Sequence, residues 1–296
     1  MFTGFVCEAD GAPVAPEACL SCARGGAKPK AHPRWPGELC PLSAPIIAGI
    51  LHGLRPDDQA VSVTGLLACP RKRRLMQSEP YWLKPCEAWW AFRGQVFHQL
   101  SAAYAQRDPQ ALVEQRFSLP DGITGQPDLV LLDRHHLVDF KTTKAVPSPW
   151  RVYTCPTLDV PAHEGAYALR TKKYGCPACG ETHATAEMPL TLAPPRPYGR
   201  HVAQVSVYRL LLWENGLACD TAEIVYQSMS EQLRLPVDLL PLDATRALLE
   251  ERQALHAQPG LPDVLSDPDE LWECSFCAVR ETCERLHGAP VGKDAL

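Results

Sequence analysis

The chain is predicted to be an α/β protein with a mixed central sheet flanked by helices. Two kinds of pattern predict it. Short apolar runs at 113–119, 129–132, 137–141 and 222–227 read as strands. Longer stretches at 87–106, 201–215 and 243–256 read as helices, the first with Trp90, Phe97, Leu100 and Tyr104 available for an apolar face. At 296 residues the chain can bury a substantial core, as one domain with insertions or as two.

Taken in chain order, residues 1–60 are rich in Pro, Gly and Ala and are expected to be an irregular appendage. Cys7, Cys19, Cys22 and Cys40 fall there. Cys19-Leu20-Ser21-Cys22 has the form of half a zinc site, with a loosely placed outer pair. The helix at 87–106 contains Gly94-Gln95-Val96-Phe97-His98. A histidine one turn beyond a glycine can reach a metal, while the glycine admits a close neighbour.

Gly125-Gln126-Pro127-Asp128 precedes the strand at 129–132, and Asp133-Arg134-His135-His136 makes the turn to the next. Such a hairpin sets Asp128 beside Asp139. Alternation on the second strand points Asp139 and Lys141 one way and Val138 and Phe140 to the core. Two carboxylates can hold a hard divalent ion, and a lysine can orient a water, or help deprotonate it, for attack on phosphorus. Gln204 and Tyr208, four apart, share one helix face, from which the amide can bond near the lysine or a phosphate.

Thirteen cysteines in a chain without a signal sequence or a membrane-length apolar stretch suit a cytoplasmic, metal-binding protein rather than a disulfide framework. Residues 146–198 read as an insertion. Within it, Gly175-Cys176-Pro177-Ala178-Cys179-Gly180 has the form of a zinc knuckle, and Cys155 and His183 can complete a tetrahedral site. At the C-terminal end Cys274-Ser275-Phe276-Cys277 and Cys283 offer three thiolates within ten residues. Cys69 is the candidate fourth. Thiolates suit an iron–sulfur cluster, and spacing alone leaves zinc open. Since 205 positions separate Cys69 from Cys274, a ligand group joining them would staple the fold. Cys86 and Cys219 read as packing residues.

The net charge of −5 gives no global attraction to nucleic acid, so binding needs local patches. Arg71-Lys72-Arg73-Arg74 is the strongest candidate. Arg170, Lys172, Lys173, Arg196 and Arg200 are secondary, and Tyr81, Trp82, Trp89 and Trp90 are candidates for stacking on bases. The chain has no Gly-x-x-x-x-Gly-Lys-Ser/Thr loop, which excludes an ATP-driven motor of that type.

The order Gly-x-x-x-His, Gly-x-Pro-Asp, Asp-x-Lys, Gln-x-x-x-Tyr, spread over residues 61–287, closely resembles the RecB-like branch of the PD-(D/E)xK nuclease superfamily. The acid before Lys141 is Asp, where many relatives have Glu. The resemblance implies a restriction-endonuclease-like core with magnesium or manganese held by His98, Asp128 and Asp139. Lys141 would position the attacking water, and Gln204 and Tyr208 would support the site. One early and three late cysteines resemble the iron–sulfur subset of that family, implying a structural 4Fe-4S cluster on Cys69, Cys274, Cys277 and Cys283. The segment Ser62-Val63-Thr64 to Cys69-Pro70-Arg71 is similar to the start of the CRISPR-adaptation exonucleases. That likeness implies a DNA exonuclease preferring single-stranded ends, an integrase partner and trimming of new spacers. A DNA-repair or phage recombination nuclease with its own partner is the alternative within the family. A non-catalytic DNA-binding subunit is the alternative outside it, although every catalytic position is filled. Residues 288–296 are expected to be a tail.

Overall fold

The computed structural model describes residues 1–25, 42–54, 62–165, 169, 171–265 and 271–288. Cys40, Arg170 and nearly all of the expected tail lie outside them, as does the side chain of Trp90. Along the chain run β1 (Phe2–Val6), β2 (Pro13–Val14), α1 (Pro16–Ala23), α2 (Ala44–Gly53), α3 (Val63–Leu67), α4 (Pro70–Ser78), β3 (Tyr81–Leu83) and α5 (Pro85–Ala105). Next come β4 (Ala111–Val113), β5 (Phe117–Ser118), β6 (Thr124–Gly125), β7 (Leu129–Leu131) and β8 (His136–Thr142). The insertion holds β9 (Trp150–Thr154), β10 (Pro161–Gly165), β11 (Lys173–Gly175), β12 (Thr182–Ala184) and β13 (Leu190–Ala193). After it follow α6 (Gly199–Glu214), β14 (Thr221–Gln227), β15 (Gln232–Pro236), α7 (Leu242–Ala257) and α8 (Arg280–His287).

The molecule is mixed α/β. Its central sheet has the order β15-β14-β8-β7-β4, with β8 and β14 parallel and the other neighbours antiparallel. The parallel pair requires a long crossover, and the insertion and α6 supply it. Leu137, Ile224 and Tyr226 of the sheet and Leu210, Leu211 and Leu212 of α6 are buried in one core. Each such burial contributes roughly 1.5–3 kcal/mol. Phe140 points to the other layer, where its ring meets Phe97 of α5 at 5.7 Å.

Two expectations need correction. Residues 1–60 are not irregular throughout. Phe5, Ile47 and Ile50 form a small core, β1 pairs in parallel with β3, and α2 lies on α5. Close approach makes this possible: a Cβ on Gly49 would lie 2.2 Å from the Phe92 ring. The expected strand at 113–119 is broken in two. Glu114 has φ +48°, a left-handed conformation that no strand accommodates, so β4 joins the central sheet and β5 pairs separately with β6. The insertion is its own small unit, a sheet in the order β10-β9-β13 plus the β11-β12 hairpin, around Tyr153, Cys155, Cys176 and Met188. Among the described residues no helix is long and apolar enough to cross a membrane.

Candidate active site and metal centres

The β7–β8 register pairs Leu129 with Val138, so the next step along the ladder sets Asp128 beside Asp139. Asp128 is fixed at both oxygens. Oδ2 accepts the Phe140 N–H at 2.7 Å, and Oδ1 lies 3.0 Å from His98 Nδ1. His98 reaches in from α5, where Gly94 packs against the end of β8; a Cβ there would sit 2.9 Å from Thr142 Oγ1. Asp139 is 1% exposed and its Oδ2 lies 2.6 Å from Lys141 Nζ. The Lys141 ammonium is the charge partner of this buried oxygen. On α6, Gln204 Nε2 donates to the Tyr208 hydroxyl at 2.8 Å. Gly125 lets α6 come close, since a Cβ there would meet Leu211 at 2.4 Å and Tyr208 at 3.0 Å.

These groups share one electrostatic field. Burial pushes the Asp139 carboxyl up to about 6 against the pull of Lys141, and Asp128 adds to the rise. Burial would lower Lys141, but Asp139 and Asp128 outweigh it and hold the ammonium above its usual range. Burial likewise opposes charge on His98, and its bond to Asp128 raises it nonetheless. Burial, then Asp139, raises the Tyr208 phenol. His201, one turn before Gln204 and Val205, is driven down to about 3 by burial and by the charges of Lys141 and Arg200, so it stays neutral.

His98, Asp128 and Tyr208 line an open cleft of about 820 Å³, together with Gln95, Glu114, Arg116, Gln126 and Thr142. His52 and Gly53, at the end of α2, form part of its wall. Glu114 is the residue that sequence reasoning missed. One ligand atom each from His98, Glu114 and Asp128 lie within 4.8 Å of one another, and Asp139 does not join them at that distance. The signal was faint: a glutamate at the end of an apolar run, fourteen residues before Asp128.

In the insertion, Cys155, Cys176, Cys179 and His183 bring their ligand atoms within 4.8 Å of one another and could hold a metal ion. His183 Nε2 lies 3.1 Å from Cys179 Sγ and 3.7 Å from Cys155 Sγ. Burial opposes ionisation of Cys176, but the backbone N–H groups of Cys179 and Ala178 turn toward its sulfur and lower it. Cys179 receives the Glu181 N–H, yet burial and the neighbouring thiols leave it raised.

Cys69, Cys274, Cys277 and Cys283 line a single cavity with Leu75, Leu265 and Val279. No three of these sulfurs fall within 4.8 Å of one another. Burial pushes Cys69 up to about 11 and also raises Cys274 and Cys277, which favours the neutral thiols. Glu273, adjacent to Cys274, is ion-paired with Arg200 on the first turn of α6. Cys7, Cys19 and Cys22 do not gather into such a group among the described residues.

The expected DNA patch is largely spent inside the protein. Arg71 is 7% exposed; its Nε donates to Cys283 Sγ at 3.1 Å and its Nη1 to the Pro262 carbonyl at 2.7 Å. Arg74 Nη2 caps the end of α7 through the His256 and Gln258 carbonyls. Lys72 and Arg73 are half-buried, and Lys72 lines the cysteine cavity. Of the secondary cations, Arg200 is held by Glu273 and Arg196 by Glu164, while Lys172 and Lys173 are exposed. Tyr81 and Trp82 are half-buried in β3, and Trp89 stacks on Phe92. Arg116, which sequence reasoning passed over, is the arginine lining the cleft.

No protein-family model matches the chain, and no curated protein does. The crystal structure of SSO0001 aligns over 80% of this chain and 93% of that one, with a TM-score of 0.46 and 16% sequence identity.

Proposed function

We propose that the protein is a metal-dependent nuclease that hydrolyses DNA phosphodiester bonds on a RecB-like PD-(D/E)xK core. The observation that carries this reading is the meeting of His98, Asp128, Asp139 and Lys141, with Tyr208 in their electrostatic field and Gln204 bonded to it, beside an open cleft that His98, Asp128 and Tyr208 line. A donor set of imidazole and carboxylates fits magnesium or manganese. His98, Asp128 and Asp139 would hold the ion, which would polarise the scissile phosphate and the attacking water.

The chain's own groups do the rest. The Phe140 N–H holds the Asp128 carboxylate in place. Lys141 keeps its charge and donates toward the water or a phosphate oxygen. Gln204 orients the Tyr208 hydroxyl at the cleft wall, where it can meet the strand. Arg116 offers a cation to the backbone phosphates.

The same reading assigns a 4Fe-4S cluster to Cys69, Cys274, Cys277 and Cys283. A single zinc ion, with bonds of about 2.3 Å, holds its sulfurs about 3.8 Å apart. No three of the four thiols come within 4.8 Å of one another around their cavity, which suits a polynuclear cluster better than one ion. Zinc fits the Cys155, Cys176, Cys179 and His183 group. The family resemblance extends the proposal to an exonuclease of single-stranded ends that works with an integrase or a recombination partner.

Cleavage of end-labelled single- and double-stranded DNA by anaerobically purified protein, with manganese or magnesium, tests it. Wild type should cut, and Lys141→Ala should lose at least about 100-fold in rate while keeping its fold. No cleavage by folded, metal-loaded wild type would turn the reading to a DNA-binding subunit.

A further inference from the structure

Glu114 stands where β4 ends, in a left-handed conformation with φ +48°. Glutamate has no intrinsic preference for that region, and glycine or asparagine would adopt it at lower cost. The neighbouring backbone is locked, because the Glu114 N–H donates to the Asp128 carbonyl at 3.1 Å. That bond joins the two residues whose carboxylates enter the cleft. Held this way, the Glu114 side chain leaves the line of the strand and brings an oxygen within 4.8 Å of donor atoms on His98 and Asp128. It has no hydrogen bond or ion pair with another described residue. A half-buried carboxylate whose close polar neighbours are a second carboxylate and a histidine is repelled by one and unsatisfied by both. A cation between the three removes the repulsion and satisfies all of them.

We infer that Glu114 is a further ligand of the catalytic cation, acting with His98 and Asp128, and that the left-handed turn after β4 exists to present it. The inference rests on reading this cleft as a cation-dependent nuclease site. It adds a carboxylate from a strand outside the β7–β8 hairpin, so the cation would clip β4 and α5 to the hairpin as well as serve the reaction.

The test is manganese binding, measured by calorimetry on the 296-residue chain with its cluster and zinc in place, for wild type, Glu114→Gln and Glu114→Gly. Both Glu114 variants should bind manganese at least about tenfold more weakly. Their cluster absorbance should be unchanged, and manganese should raise their melting temperature less than that of wild type. Glu114→Gly separates a ligand from a structural residue. Relief of the left-handed conformation should keep or raise its melting temperature without added manganese while its manganese affinity falls. Equal affinity in wild type and both variants would overturn the inference, and so would a wild type that binds no manganese at this cleft. A wild type that binds manganese through Glu114 and yet leaves DNA intact would sink the nuclease reading and leave the cation site standing.

Discussion

Two groups of four candidate metal-ligating side chains sit in this molecule, and they are assembled in opposite ways. Cys155, Cys176, Cys179 and His183 come from one short stretch of the insertion, with ligand atoms drawn within 4.8 Å of one another. Cys69 and the trio Cys274, Cys277 and Cys283 come from distant parts of the chain and stand back around a cavity. The first has the span of one tetrahedral ion, and in the second no three sulfurs come that close. Their chemistry differs too. Backbone amides already favour the Cys176 thiolate, whereas burial disfavours charge on Cys69, Cys274 and Cys277. A local group can be organised before its metal arrives. A group drawn from distant segments relies on tertiary packing to bring its thiols together.

The largest effect should come from breaking the long-range group. Cys277→Ala should lose the visible absorbance of the cluster. By the entropy of closing a loop of this length, it should also lose about 4 kcal/mol or more, near 10 °C in melting temperature. A cluster-free variant that melts like wild type would sink the idea of a staple. Arg71→Ala should cost about 1–3 kcal/mol, because it strips buried partners from Cys283 and Pro262. The salt dependence of DNA binding should stay as in wild type; a shallower slope would return Arg71 to the DNA path. The smallest effect on the main transition is expected for Cys179→Ser. Metal analysis should find one zinc equivalent missing and limited proteolysis should cut between 155 and 183, while the melting temperature moves by less than about 3 °C. Loss of the cluster absorbance in that variant would show the two groups to be coupled.

Much of the frame was legible before any coordinates. The helices α5, α6 and α7 and strands β8 and β14 begin and end within two residues of where periodicity puts them, because each pattern acts along a few neighbouring residues. The 176–180 knuckle was legible for the same reason. The basic run 71–74 misled, because charge in a sequence does not say which face of a helix is covered. Here α4 lies against the C-terminal cysteine segment and the end of α7, so Arg71 and Arg74 spend their donors on sulfur and backbone carbonyls. The N-terminal elements were missed because Phe5, Ile47 and Ile50 are scattered among prolines and glycines, and their burial depends on α5.

By itself the sequence determined which segments become helices, strands and tight turns, and which donor atoms they carry, since propensity and periodicity are local. Only the tertiary structure decided that Glu114 turns left-handed to join His98 and Asp128, that Arg71 faces Cys283, and that α2 walls the cleft. Those contacts cross up to 212 positions of chain, where loop closure and close packing rule rather than the character of any one residue.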